Sequence, residues 1–212
     1  MSGQLWGDDP AGVARAARAL ARGGVIGFPT DTVYGIACAA TDGAAVEHLY
    51  QIKQRPSAQP LILMAAHPQE LRVFACVTQL AEELAQRFWP GQLTLVLRAT
   101  PQGELLRGGG TVGVRIPDQP AALSLLRSAG PLATTSANRH GEETASDGRS
   151  ALGLLPGLVG AIQLGNSSSS EGPPSSILDL TRDRPVLLRE GRLSARELGV
   201  STAHRSPEIR RD

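Results

Sequence analysis

A chain of 212 residues with 41% hydrophobic side chains can fill one ample domain, and with 3% aromatics its core must be built from Leu, Val, Ile and Ala. A net charge of +1 excludes a global polycation made for nucleic acid, although a local basic patch is compatible with it. No apolar run reaches the roughly 18 residues of a membrane span, and MSGQLWGDDP at the N-terminus lacks the basic and apolar regions of a signal peptide. Cys38 and Cys76 form no C-x-x-C and no metal spacing, so both are expected to be buried free thiols in a reducing cytoplasm.

The first helix is predicted in DDPAGVARAARALARGG, with Asp8 or Asp9 as cap, Pro10 in the first turn and Gly23-Gly24 at the stop. VIGF is a short strand that runs into PTDTVYG, residues 29–35, a turn with more polar groups than a chain reversal needs. DGAAVEHLYQIK is a helix capped by Asp42, and LILMAA a buried strand. HPQELRVF and TQLAEELAQRFW are helices, the second ending before Pro90-Gly91. LTLVLRA and TVGVRIP are strands, DQPAALSLLRSAG a helix capped by Asp118 and stopped by Gly130, and LATTSA a strand. SDGRSALGLL is helical, LVGAIQL, SSILDL and PVLLREG are strands, and SARELG is a last helical turn. Strands follow one another directly in several places, which argues for an α/β (α+β) domain on a mixed sheet rather than a repeated βαβ barrel. One domain is expected over 1–200. The stretch 201–212 is expected to be a disordered tail, and GNSSSSEGPP (165–174) a mobile loop.

Several chemistries are excluded. Gly108-x-Gly110-x-x-Gly113 matches a dinucleotide fingerprint as a string, but strand-like residues follow it where a helix must begin. There is no P-loop and no nucleophile elbow, and the four histidines have no metal-ligand spacing. What remains is polar residues at strand and helix ends. Thr30, Asp31, Thr32 and Tyr34 follow VIGF; Lys53 and Arg55 stand where Pro56 stops a helix; Thr111 and Arg115 begin and end TVGVR; Thr134, Thr135, Ser136 and Asn138 follow PLA; Ser175 and Ser176 precede ILDL; and Arg189 ends VLL. Lys53 is the single lysine among 21 basic residues, so it marks a place where arginine does not serve. Convergent cations and hydroxyls suit a polyanion together with a small zwitterion. Residue chemistry alone stops at an anion-binding α/β protein.

Seven blocks in order carry a resemblance: GGVIGFPTDTVYGIAC, IKQRPSAQPLILM, FWPGQLTLVL, TVGVRIPD, PLATTSAN, SSILDL and VLLREG. Together, over residues 10–192, they resemble the YrdC family, the threonylcarbamoyl-AMP synthases that start threonylcarbamoyladenosine formation in tRNA, and more closely its short bacterial form. The resemblance implies a twisted mixed parallel/antiparallel sheet flanked by helices, with a basic concave cleft. It implies a nucleotidyltransferase that condenses L-threonine, bicarbonate or CO2, and ATP, with Mg2+ carried by the nucleotide and no metal site on the protein. By resemblance Lys53 and Arg55 are catalytic. Thr32, Arg115 and Ser175 hold threonine. Lys53, Arg55, Gln59, Thr111, Ser136, Asn138, Ser146 and Arg189 contact ATP. A cytoplasmic protein is implied, without membrane attachment, that hands its labile product to a tRNA threonylcarbamoyl-transferase complex, with tRNA or double-stranded RNA as a possible partner. An RNA-binding paralogue without this reaction is the alternative. A carbamoyl-transfer module, as found in hydrogenase-maturation proteins, is a third reading, but its neighbouring acylphosphatase and zinc-finger regions are missing. Met64 departs from the family pattern, which often has histidine there, and Gln92 replaces a common proline.

Overall fold

The computed structural model describes residues 3–54, 60–139, 141–165 and 173–200. Arg55, Gln59, the greater part of the 165–174 loop and the 201–212 tail lie outside the described residues. The chain runs β1 (Gln4–Gly7), α1 (Pro10–Leu20), β2 (Ile26–Phe28), β3 (Gly35–Ala39), α2 (Gly43–Lys53), β4 (Ile62–Met64), α3 (Pro68–Leu71) and α4 (Gln79–Phe88). It continues through β5 (Leu93–Arg98), a 3-10 turn at Gly103–Leu106, β6 (Thr111–Arg115), α5 (Pro120–Ala129), β7 (Leu132–Ser136), α6 (Gly148–Leu154), β8 (Gly160–Gln163), β9 (Ser176–Asp179), β10 (Val186–Arg189) and α7 (Ala195–Leu198).

The strands form one mixed sheet in the order β1-β8-β2-β3-β7-β4-β6-β5-β9-β10. β8 is parallel to both β1 and β2, β4 to β6, and β5 to β9; the remaining pairs are antiparallel. The expected mixed sheet with flanking helices is therefore the observed one. β1 and β3 were not foreseen. The first is four residues long and the second is made largely of small residues, so neither shows a period-2 pattern.

Local chemistry sets most helix ends. The Asp9 carboxylate accepts from Ala11 N and Gly12 N at 2.8 and 2.9 Å, and Asp42 does the same for Ala44 and Ala45 at the head of α2. Two expectations are corrected. The cap of α5 is Gln119, whose Oε1 accepts from Ala122 N at 2.8 Å, rather than Asp118. Pro120 occupies the first helical position, so the residue before it must be the cap. The HPQELRVF helix is only Pro68–Leu71, because the following backbone is drawn to the sheet: Cys76 N donates to Arg98 O, and Ala75 bridges Ala99.

The sheet carries a core on each face. On one, Leu63, Leu95, Val112, Val114 and Ala133 pack with α2, α4 and α6. On the other, Ile26, Phe28, Ala37, Leu132 and Met64 pack with α1 and α5. Each fully buried aliphatic side chain contributes about 2 kcal/mol of transfer free energy. Cys38 is buried as expected, and burial, with the Asp42 charge assisting, pushes its thiol up to about 12. Cys76 is exposed, so the expectation of two buried thiols holds for only one.

Candidate functional site

β4, β5, β6 and β9 alternate strictly, as strands must. Their Leu63, Leu95, Val112, Val114 and Leu178 enter the first core, while Ile62, Met64, Thr94, Val96, Thr111, Gly113, Arg115 and Ile177 face the opposite way. There they line a cavity of about 550 Å3. Phe28, Thr30, Thr32, Ser136, Ser175 and Arg189 also line it. Of the residues inferred from the sequence, Thr32, Thr111, Arg115, Ser136, Ser175 and Arg189 thus share one cavity.

The PTDTVYG turn joins β2 to β3. Thr30 Oγ1 donates to Val33 O at 2.6 Å and accepts from Thr32 N at 3.1 Å, so a side chain closes the turn locally. Gly35 pairs with Ser136 across β3 and β7, and Ala137 N donates to Tyr34 O at 2.9 Å. Sheet register therefore sets this turn beside Ser136-Ala-Asn138. Tyr34 belongs to the packing: it is 1% exposed and its hydroxyl donates to Ile162 O at 2.6 Å. Burial raises that hydroxyl's pKa, with the Asp147 charge adding to the effect.

Arg115 ends β6, buried opposite Met64 of β4. Its Nε donates to Gly91 O at 2.9 Å, one terminal nitrogen to Thr32 Oγ1 at 2.9 Å, and the other to Asp31 Oδ1 at 2.7 Å. Burial lowers the guanidinium's pKa, and the adjoining Asp31 carboxylate acts against that. Arg189 lies on the same side: its Nε and one terminal nitrogen donate to Ser175 O at 3.1 and 2.9 Å. Burial lowers its pKa first, and the charge of Arg115 adds to the effect. The Ser175 hydroxyl also lies 2.9 Å from Thr94 Oγ1.

At the other end, Lys53 closes α2 and is 2% exposed. Its Nζ donates to Ser136 O at 2.7 Å and to Asn138 Oδ1 at 2.6 Å; that same oxygen accepts from Ser136 Oγ at 2.6 Å. Asn138 Nδ2 donates to Glu142 O at 2.8 Å. Lys53 and Asn138 join the cavity through Ser136 and are not part of its wall. Ser146 is exposed, just before Asp147 caps α6, and is not part of the wall either. Sequence reasoning missed Thr94, and it named Asp31 without giving it a partner. Thr94 carried a usable signal, since it occupies the inward phase of LTLVL together with Val96.

A profile of the Sua5/YciO/YrdC family, described as telomere recombination, matches residues 18–191. The chain belongs to that family. It is 36% identical over 200 residues to the threonylcarbamoyl-AMP synthase of Bacillus subtilis (strain 168), covering 92% of this chain and 57% of that protein. It is 39% identical over 200 residues to a putative threonylcarbamoyl-AMP synthase of Mycobacterium leprae (strain TN), covering 91% of this chain and 90% of the relative. The crystal structure of Pyrococcus abyssi Sua5 complexed with L-threonine superposes with a TM-score of 0.84 at 34% identity, over 92% of this chain and 58% of that one. The chain thus spans little more than half the length of the Bacillus and Pyrococcus family members and nine tenths of the mycobacterial one. Among the described residues no helix is long and apolar enough to cross a membrane.

Proposed function

We propose that this family member is an L-threonylcarbamoyladenylate synthase, a nucleotidyltransferase acting on L-threonine, bicarbonate or CO2, and ATP. The observation that carries the reading is the convergence of Thr32, Arg115, Ser175 and Arg189 on one cavity, in a chain like the Sua5 that was crystallised with L-threonine. An arginine fork suits a carboxylate, and neighbouring hydroxyls orient the rest of a small zwitterion.

In this reading Thr32, Arg115 and Ser175 hold threonine. The amine forms a carbamate with bicarbonate, water leaving. A carbamate oxygen then attacks the α-phosphorus of ATP, and the bond to pyrophosphate breaks. No covalent enzyme intermediate is needed, so the protein contributes position and charge. Lys53 and Arg55 offset charge developing on the phosphates. Gln59, Thr111, Ser136, Asn138, Ser146 and Arg189 complete the nucleotide side, with Lys53 also fixing Ser136 and Asn138 through its hydrogen bonds to Ser136 O and Asn138 Oδ1. Among the described residues no group of three His, Cys, Asp or Glu side chains could hold a metal. Magnesium arriving with the nucleotide would neutralise phosphate charge. In this reading the product passes to a tRNA threonylcarbamoyl-transferase complex.

The test is pyrophosphate release from ATP by the full chain. Release that requires threonine and bicarbonate together is the expected result. Release from ATP alone, or none with all three substrates, would sink the assignment.

A further inference from the structure

Asp31 is 8% exposed, and its carboxylate makes an ion pair with Arg115 that is almost wholly removed from water. Its second oxygen, Oδ2, is buried and has no hydrogen-bond partner among the described residues. A buried carboxylate with one unsatisfied oxygen is expensive, and an ion pair of this kind adds little net stability over an apolar pair. A group held at such a cost is best explained by what it does to its partner.

That partner has five N–H donors in a rigid plane. Three are engaged: by Gly91 O, Thr32 Oγ1 and Asp31 Oδ1. One donor on each terminal nitrogen is left without a partner among the described residues, on a side chain that lines the cavity. Asp31 is itself clamped, because the Gln92 side-chain amide donates to its backbone carbonyl at 3.0 Å. One turn, Gly91-Gln92, therefore anchors the arginine through a carbonyl and the aspartate through an amide.

We propose that Asp31 is a positioning residue for substrate recognition: it fixes the plane of the Arg115 guanidinium so that the two remaining donors meet the carboxylate of the amino-acid substrate. The proposal rests on the reading of the cavity as a threonine site. The carboxylate of Asp31 does not touch the substrate. It acts through Arg115, and Gln92 holds it in place.

The experiment compares the full chain with Asp31→Ala and Asp31→Asn in two measurements. In the first, the Arg115 Nε–H is followed by 15N NMR, assigned by its disappearance in Arg115→Lys. Its protection from exchange falls by ~10-fold or more in Asp31→Ala, and Asp31→Asn, which keeps an acceptor, restores part of it. In the second, threonine-dependent pyrophosphate release gives a KM for threonine raised by ~10-fold or more in Asp31→Ala, while the KM for ATP stays within about twofold. Full protection of the Arg115 signal in Asp31→Ala overturns the proposal whatever the substrate is. A parallel rise in both KM values also overturns it, since that marks general loosening. Wild-type release that ignores threonine defeats the synthase reading instead, and the NMR measurement still decides whether Asp31 holds Arg115.

Discussion

Lys53 is almost completely buried, yet it carries an ammonium group, which survives only where acceptors replace water. Here they include Ser136 O and Asn138 Oδ1, at 2.7 and 2.6 Å. A compact point charge on a flexible stem fits that position; a planar fork is wider, and its donors would not converge on the same two oxygens. Lys53→Ala should reduce threonylcarbamoyl-AMP formation by roughly 100-fold, as loss of a transition-state charge contact does elsewhere. Lys53→Arg should fail to restore full activity. Steady-state pyrophosphate release, with a melting curve for each variant, checks both, and near wild-type rates would remove Lys53 from the site. The sequence singles it out because it is the one lysine in an arginine-rich chain. Asp31 was not legible in the same way. Its partner lies 84 residues further on, and the pairing depends on strand register and on the Gly91-Gln92 turn, which no local pattern encodes.

Helix starts were the most readable elements, since a cap and its backbone donors lie within three residues of each other. Asp147 is the cap of α6: its Oδ1 accepts from Ser150 N and Ser150 Oγ, both at 2.8 Å. The Ser150 backbone N–H is the largest cause that holds the carboxyl below the usual range, with burial opposing it. A carboxylate whose folded pKa is depressed stabilises the native state above the unfolded value of about 4, and that stability is lost as pH falls through the folded value. Asp147→Ala should therefore cost about 1 kcal/mol near neutral pH. The gap to wild type should close in the acid range below about pH 4, and salt should narrow it because the group is only part-buried. Urea melts at pH 7 and pH 3 measure this, and a gap that widens in acid would contradict the capping account. Strands were harder to read. VIGF and TVGVR announce themselves by β-branched content, whereas GIACA is buried on both faces and looks like the tail of a turn. Its role as the link between the PTDTVYG turn and Ser136 follows from pairing with β7, a long-range fact.

For the molecule as a whole, the sheet's two faces divide the labour. One is covered by α2, α4 and α6; the other is covered by α1 and α5 at the β2, β3 and β8 end, and the cavity lies on its β4, β6, β5 and β9 part. Alternation along β6 assigns Val112 and Val114 to packing and Thr111, Gly113 and Arg115 to the cavity, so one strand separates core from cavity residue by residue. Gly113 makes the separation testable. A Cβ placed there would sit 3.4 Å from Thr94 Cγ2 and 3.6 Å from Ile62 Cγ1, which is ordinary van der Waals contact. The backbone therefore accepts a side chain, and valine is a better strand former than glycine. Gly113→Val should fold with its melting temperature little changed. Its γ-methyls, however, occupy cavity space between the Arg115 end and the Thr111 end, where small displacements of bound groups are costly. The expected result is a loss of ~10-fold or more in kcat/KM for pyrophosphate release without loss of stability. Retained activity in a folded Gly113→Val protein would mean that the substrates do not lie across the middle of β6, and would move the site toward one end of the cavity.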